Sequence, residues 1–391
     1  MDMLRGEVSV EDQARYLGRG NYARITAADR PGVAQPVPLR EVPQQPWGWV
    51  MLGAVVLFAL LLGGWEYYWR AFGVMPAYHN SNAEWAQQRR RIDAGEGSKT
   101  VLIGSSRILF DLQLPVWEKL SGERPIQLAL EGTTPLLTME DLAADPNFTG
   151  RLLVGVAPDL FFSGFAYRGD ALAYFRKETP SQRAGNWLSR AFIEPWFAFF
   201  DEDYALAKVV KRQPWPARPD LPNRLDVRKL SIQDADRSTH LWDKLVSDTQ
   251  YRDLARSIWA QHLDGPPPPG FDTPEKVASV IDKQIQRAVD ALVKLRARGV
   301  KVLFVRPPSD GHYLEFENKV FPRARTWDVL LARTGASGIH FQDYPELQGF
   351  ELPEWSHIKH ADAEKFTAAL QQIITRDFWP NDTAQALAPG Q

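Results

Sequence analysis

Cysteine is absent from all 391 residues, which removes disulfide frameworks, thiolate metal sites, iron–sulfur clusters and cysteine nucleophiles together. The lack does not choose a compartment. An excess of either charge is missing too: 46 Lys and Arg face 48 Asp and Glu, for a net charge of −2. No molecule-wide positive field gathers phosphates, and nucleic acid is not an expected partner. No Walker or dinucleotide-type glycine loop occurs, so no nucleotide cofactor is expected. His340, His360 and Asp343 do not fall at a metal-ligand spacing, and the expectation is a site without metal or cofactor. What is present, 44% hydrophobic and 24% charged residues, is the composition of an ordinary folded chain.

Charge is also missing locally. None occurs between Glu41 and Glu66, and the run Trp47 to Trp65 is almost wholly apolar; as a helix it would measure roughly 28 Å, enough to cross a bilayer. Trp47 and Trp49 at one end, and Trp65, Tyr67, Tyr68 and Trp69 at the other, match the aromatic belts of a spanning helix. The bulky residues after the run do not suit a cleavage site, so a retained anchor over 47–69 is expected. Before it, 1–46 carries six arginines balanced by acids and ends in a Pro-rich stretch, a flexible tail. Arg30 and Arg40 favour this tail on the cytoplasmic side of the inner (cytoplasmic) membrane. That leaves 70–376 as a periplasmic or extracytoplasmic domain and 377–391 as a second tail.

The domain reads as α/β. Thr100–Ile103, Ile126–Leu130 and Leu152–Val156 are short apolar strands, followed later by Lys301–Val305 and Gly338–Phe341. A helix is expected over Thr273–Arg298 from Val277, Val280, Ile281, Ile285, Val289, Leu292 and Leu295, with Gly299 ending it, and a closing helix over Asp362–Thr375. Strands alternating with helices imply a parallel sheet with helices on both faces. The segment 161–270 interrupts this pattern as a large, aromatic, helical insert containing Trp187, Trp196, Trp215, Trp242 and Trp259. A cap over the sheet and a purely packing elaboration both fit it.

Ligands of an open parallel sheet collect at the carboxyl ends of its strands, and three features fall there. Gly104-Ser105-Ser106-Arg107 follows the first strand, placing a hydroxyl where a helix start offers unpaired N–H groups to a developing oxyanion; an N-cap serine explains the same residues. Glu131-Gly132 ends the second strand, and the bare Gly132 backbone can approach a reacting carbonyl, though a simple turn accounts for it equally. Glu354-Trp355-Ser356-His357 precedes the last helix, so that His357 can deprotonate a serine while Glu354 fixes its tautomer. Arg107 and Arg306 are candidates for contacting an anionic substrate. Asp310 and His312 edge the same region, where a loop turn is the plainer reading.

The order Gly104-Ser105-Ser106, Gly132, Glu354-x-x-His357 resembles the SGNH (GDSL-like) hydrolase superfamily over roughly 99–160 and 275–376. The resemblance implies a flavodoxin-like sheet, Ser106 as nucleophile, His357 as base, Glu354 as its acid, and the Ser106 and Gly132 amides as oxyanion hole. Two departures stand out. The family's Gly-x-Asn-Asp is replaced by Gly155-Val156-Ala157-Pro158-Asp159, and the usual Asp of the last block is Glu354. The anchor, the Gly-Ser-Ser block and the helix leading into Val302–Pro308 are also similar to the extracytoplasmic partners of membrane-bound O-acyltransferases, of the D-alanyl transfer and alginate O-acetylation type. That layout implies an acyl esterase or O-acyltransferase acting on a cell-envelope glycan, with a membrane-bound O-acyltransferase as partner. A catalytically silent glycan-binding or scaffold subunit is the alternative.

Overall fold

A computed structural model describes residues 45–213, 228–268 and 270–380. The expected tails fall largely outside them, although burial of Trp379 carries the packed chain to that residue. Two compact units are present, Met1–Leu60 and Leu61–Gln391. The first contributes most of one helix, Trp47–Phe72, whose 26 residues are long and apolar enough to cross a membrane. Its last turns belong to the second unit, where Trp69 is buried and stacks on Tyr204 at 4.3 Å between ring centroids.

The second unit is built on a five-stranded sheet. Its strands are β1 (Thr100–Ile103), β2 (Ile126–Gln127), β3 (Arg151–Gly155), β6 (Lys301–Arg306) and β7 (Ser337–His340), with a separate hairpin of β4 (Ser231–Gln233) and β5 (Thr239–Leu241). The order is β2-β1-β3-β6-β7 with every pair parallel. β1, β3 and β6 are apolar throughout their paired centres because both faces are covered. Val101, Ile103, Leu152, Val154 and Phe304 face one core with Trp85, Leu142, Ile285 and Leu292. Leu102, Leu153, Leu303 and Val305 face the other with Trp117, Phe366 and Leu370. The period-2 alternation of each strand is thus divided between two helical layers.

The helix Pro274–Ala297 runs on the first face. Thr273 caps it by accepting the Lys276 N–H, Pro274 occupies the first turn, and Gly299 at φ 81° lets the chain reverse into β6. The closing helix is His360–Ile373. β2 is shorter by ladder than the strand expected over Ile126–Leu130, yet Leu128 and Leu130 still donate to the carbonyls of Leu102 and Gly104. The insert is not wholly helical, as had been expected. Besides Asp170–Lys177, Pro180–Phe192 and Thr249–Leu263 it contains the β4–β5 hairpin, whose strands of three residues each are too short to show a period in sequence.

Candidate active site

Crevices of doubly wound sheets open where neighbouring connections leave in opposite directions. In this order that point lies at the carboxyl ends of β1 and β3, next to β2. Leu130 pairs with Gly104, so Ser106 and Gly132 each follow two residues beyond matched positions on adjacent strands. From Thr100 to Leu114 every residue is buried except Ser106. Gly104 and Gly155 make this possible: a Cβ on either would lie 2.4 or 1.9 Å from Ile108 Cγ1, so only glycine lets the helix Ser106–Asp111 pack so close to the sheet. Ser105 is the N-cap, its Oγ accepting from the Arg107 N–H, and Ser106 stands first in the helix, where N–H groups have no intrahelical acceptor.

His357 comes to Ser106 from 251 residues away. Its Nε2 lies 2.7 Å from Ser106 Oγ and its Nδ1 2.8 Å from Glu354 Oε1, which also accepts the His357 backbone N–H at 2.7 Å. Both His357 and Glu354 are buried. Burial pushes the Glu354 carboxyl up, but His357 and hydrogen bonds from His357 and Trp259 hold it below the usual glutamate range. An ionised Glu354 makes Nδ1 the donor, leaving the Nε2 lone pair facing the Ser106 hydroxyl. Phe110 packs against the imidazole at 4.5 Å. Asp111 Oδ1 accepts the Ile358 N–H at 3.0 Å, while burial pushes the Asp111 carboxyl well above its ordinary range.

The acid's other oxygen is held from the insert. Trp259 Nε1 donates to Glu354 Oε2 at 2.5 Å, and one turn earlier on the same helix Arg256 donates to the Pro353 carbonyl at 2.9 Å and lies over the Trp355 ring at 5.3 Å. Trp355 itself sits at φ 71°, a conformation a bulky residue adopts only when its surroundings impose it. Its carbonyl accepts the Asp310 N–H, and a Cβ on Gly311 would meet its indole at 2.7 Å. The insert supports the Gly132 turn as well. Gly132, at φ 54°, accepts the Tyr167 N–H at 3.0 Å, Thr134 donates to Phe165, and Arg168 pairs with Glu131 at 2.9 Å.

Arg107 and Arg306, expected at substrate, are buried and engaged elsewhere. Arg107 Nη1 lies 2.9 Å from Glu317 Oε1, and Arg306 Nη2 lies 2.7 Å from Glu317 Oε2. Burial pushes Glu317 up, but the two guanidinium groups hold it below its ordinary value. Arg107 also donates to Ser356 Oγ at 3.3 Å and covers the Tyr313 ring at 4.8 Å. Asp159, from the block that lacks asparagine, is half-buried and accepts the Tyr313 hydroxyl at 2.6 Å; desolvation and Glu317 push its carboxyl up. His312, outside this network, pairs with Asp264 at 2.7 Å.

Sequence reasoning grouped Ser106, Glu354 and His357 but missed Trp259, Arg256 and the 165–168 segment. The signal for the first two was the i, i+3 spacing of Arg256 and Trp259, which puts them on one helix face; nothing in sequence names what that face meets. Among the described residues no cluster of three His, Asp or Glu side chains is placed to hold a metal ion. In comparisons with known proteins, the chain matches no family model and no curated protein.

Proposed function

We propose that the protein is a membrane-anchored, SGNH-type serine acyl-transfer enzyme, an O-acyltransferase or acyl esterase of a cell-envelope glycan. The observation that carries this reading is the chain of contacts Glu354–His357–Ser106 at 2.8 and 2.7 Å ending on a partly exposed serine. The parallel order β2-β1-β3-β6-β7 supports the flavodoxin-like architecture of that superfamily, and the apolar helix Trp47–Phe72 supports a membrane anchor.

In this mechanism Ser106 Oγ attacks the acyl carbonyl while His357 Nε2 takes its proton. The carbonyl oxygen becomes an oxyanion held by the Ser106 and Gly132 amides. Collapse breaks the bond to the departing alcohol, which leaves with the proton from His357. The acyl-Ser106 ester is then attacked by water or by a sugar hydroxyl, whose proton passes to His357; the bond to Ser106 Oγ breaks, that oxygen takes the proton back from His357, and the acid or the acylated sugar leaves. A membrane-bound O-acyltransferase would supply the acyl group in the transfer case.

Treatment of the full-length chain in detergent with a fluorophosphonate, followed by intact mass, tests this directly, because such a probe modifies only an activated serine. One adduct on the wild type, lost in Ser106→Ala and in His357→Ala, is expected. An unmodified wild type, or an adduct that survives Ser106→Ala, overturns the assignment. Acetate released from an acetylated glycan by the purified chain alone would select the esterase.

A further inference from the structure

The helix Pro180–Phe192 is amphipathic in the reverse sense. Thr179 and Gln182 form a capping box at its start, which satisfies two N–H groups that the helix leaves without a partner. Three polar residues of its second half face the protein: Asn186 donates to Glu84 at 2.9 Å, Ser189 donates to Glu194 at 2.7 Å, and Arg190 reaches Glu84 and the Ala235 carbonyl. Ala184, Trp187, Leu188 and Ala191, at the i, i+3, i+4, i+7 spacing of one face, point outward with Phe192 beside them. Trp187 is 62% exposed, Phe192 60% and the following Trp196 63%. A water-facing helix has no reason to turn its aromatic stripe away from the core.

The position of this segment says what covers the stripe. Glu66 is the first charged residue after the apolar run, and its carboxylate accepts the backbone N–H groups of Ala198 at 3.0 Å and Phe199 at 2.9 Å. One turn on, Arg70 donates to the Trp196 carbonyl at 2.8 Å. The exposed aromatic segment is therefore fastened to the residues where the helix leaves its apolar stretch, and that is the level at which a spanning helix meets the headgroups.

We propose that Pro180–Phe197 lies in the surface of the bilayer, with Trp187, Leu188, Phe192, Trp196 and Phe197 seated at the boundary between headgroups and acyl chains. The proposal rests on the reading that the Trp47–Trp65 run crosses that bilayer. It gives the domain a second attachment beside its anchor, which fixes how the domain stands on the membrane as well as how far from it.

The natural lack of cysteine makes the test direct. Leu188→Cys, Phe192→Cys, Leu57→Cys and Val293→Cys full-length chains, each bearing one environment-sensitive fluorophore, are reconstituted in phosphatidylethanolamine–phosphatidylglycerol vesicles with nitroxide-labelled acyl chains. Leu57 lies within the apolar run, and Val293 is exposed on the helix Pro274–Ala297. The labels at 188 and 192 are expected to be quenched about twofold or more beyond the label at 293. If 57 is quenched while 188 and 192 behave like 293, the inference is overturned, and the stripe belongs to a protein partner. If 57 is unquenched, the spanning reading falls; quenching at 188 and 192 would then still support the surface contact, and its absence would overturn both.

Discussion

Two buried glutamates stand at the same edge of the sheet, and they do opposite things. Glu354 and Glu317 are both sealed from solvent, and both stay ionised because the partners facing them outweigh burial, His357 and hydrogen bonds from His357 and Trp259 for the first and two arginines for the second. Glu317 lies between two arginines, and its network closes on itself through Ser309, whose hydroxyl donates to it at 2.6 Å. Glu354 is engaged by Trp259 on one oxygen, but its other oxygen holds an imidazole whose far nitrogen meets Ser106, a residue open to solvent. The lesson is that buried charge alone does not mark a reactive site. What distinguishes the two is a proton path that reaches the surface.

The comparison can be broken by substitution. Ser106→Ala should abolish fluorophosphonate modification while leaving the melting temperature unchanged, and Glu354→Gln, which offers Nδ1–H a poorer acceptor, should slow modification by about 10³-fold or more. Glu317→Ala should do the reverse. It strands two buried arginines and should cost about 3–5 kcal/mol in urea unfolding, with modification per folded molecule retained. Should Glu317→Ala silence Ser106 without a stability loss, the two glutamates would not be separate in role. Trp259→Phe keeps an aromatic side chain but removes one hydrogen bond to a buried charged acceptor, so modification should slow by about 10-fold and unfolding should become easier by about 1–3 kcal/mol.

The smallest effect concerns pH. Burial, with Arg306 and Arg323 nearby, pushes the His340 ring down to about 3, and its Nδ1 accepts the Gln342 N–H at 3.2 Å. Burial and His360 push His240 down to about 4. Both folded values lie below the unfolded 6.5, so the unfolded chain alone takes up these protons as pH falls from there. The contribution of these two histidines should therefore be level above pH 6.5 and decline beneath it, for His340 by up to about 1.4 kcal/mol per pH unit. Glu354 and Glu317, with lowered values, add their loss only below the ordinary 4.5. A melting series from pH 8 to 5 on wild type and His340→Asn checks the upper window, where the variant's decline should be shallower.

Much of this was legible because it is local. Thr100–Ile103 was delimited without error, and the Lys301 and Thr273 elements lay within a residue of their observed ends, since apolar runs, Thr-Pro starts and glycine stops act within one element. The Glu354-x-x-His357 pair is likewise local. The fate of Arg107 was not: its position after Ser106 says nothing about Glu317, which arrives from a helix over two hundred residues later. The same holds for Trp259, whose partner is set by how the insert docks. The hairpin β4–β5 escaped because three residues carry no period.

The sequence separation of 251 between Ser106 and His357 also bears on how the protein comes into being. β1 and the helix behind it can form early in synthesis, but the serine has no histidine partner until nearly the whole domain has emerged and the segment before the final helix has packed. On the proposed mechanism, reactivity would thus be withheld from the growing chain by topology. A nascent or truncated product ending before Glu354 would carry the hydroxyl without its base, and a newly made molecule would become reactive only at the last step of its folding.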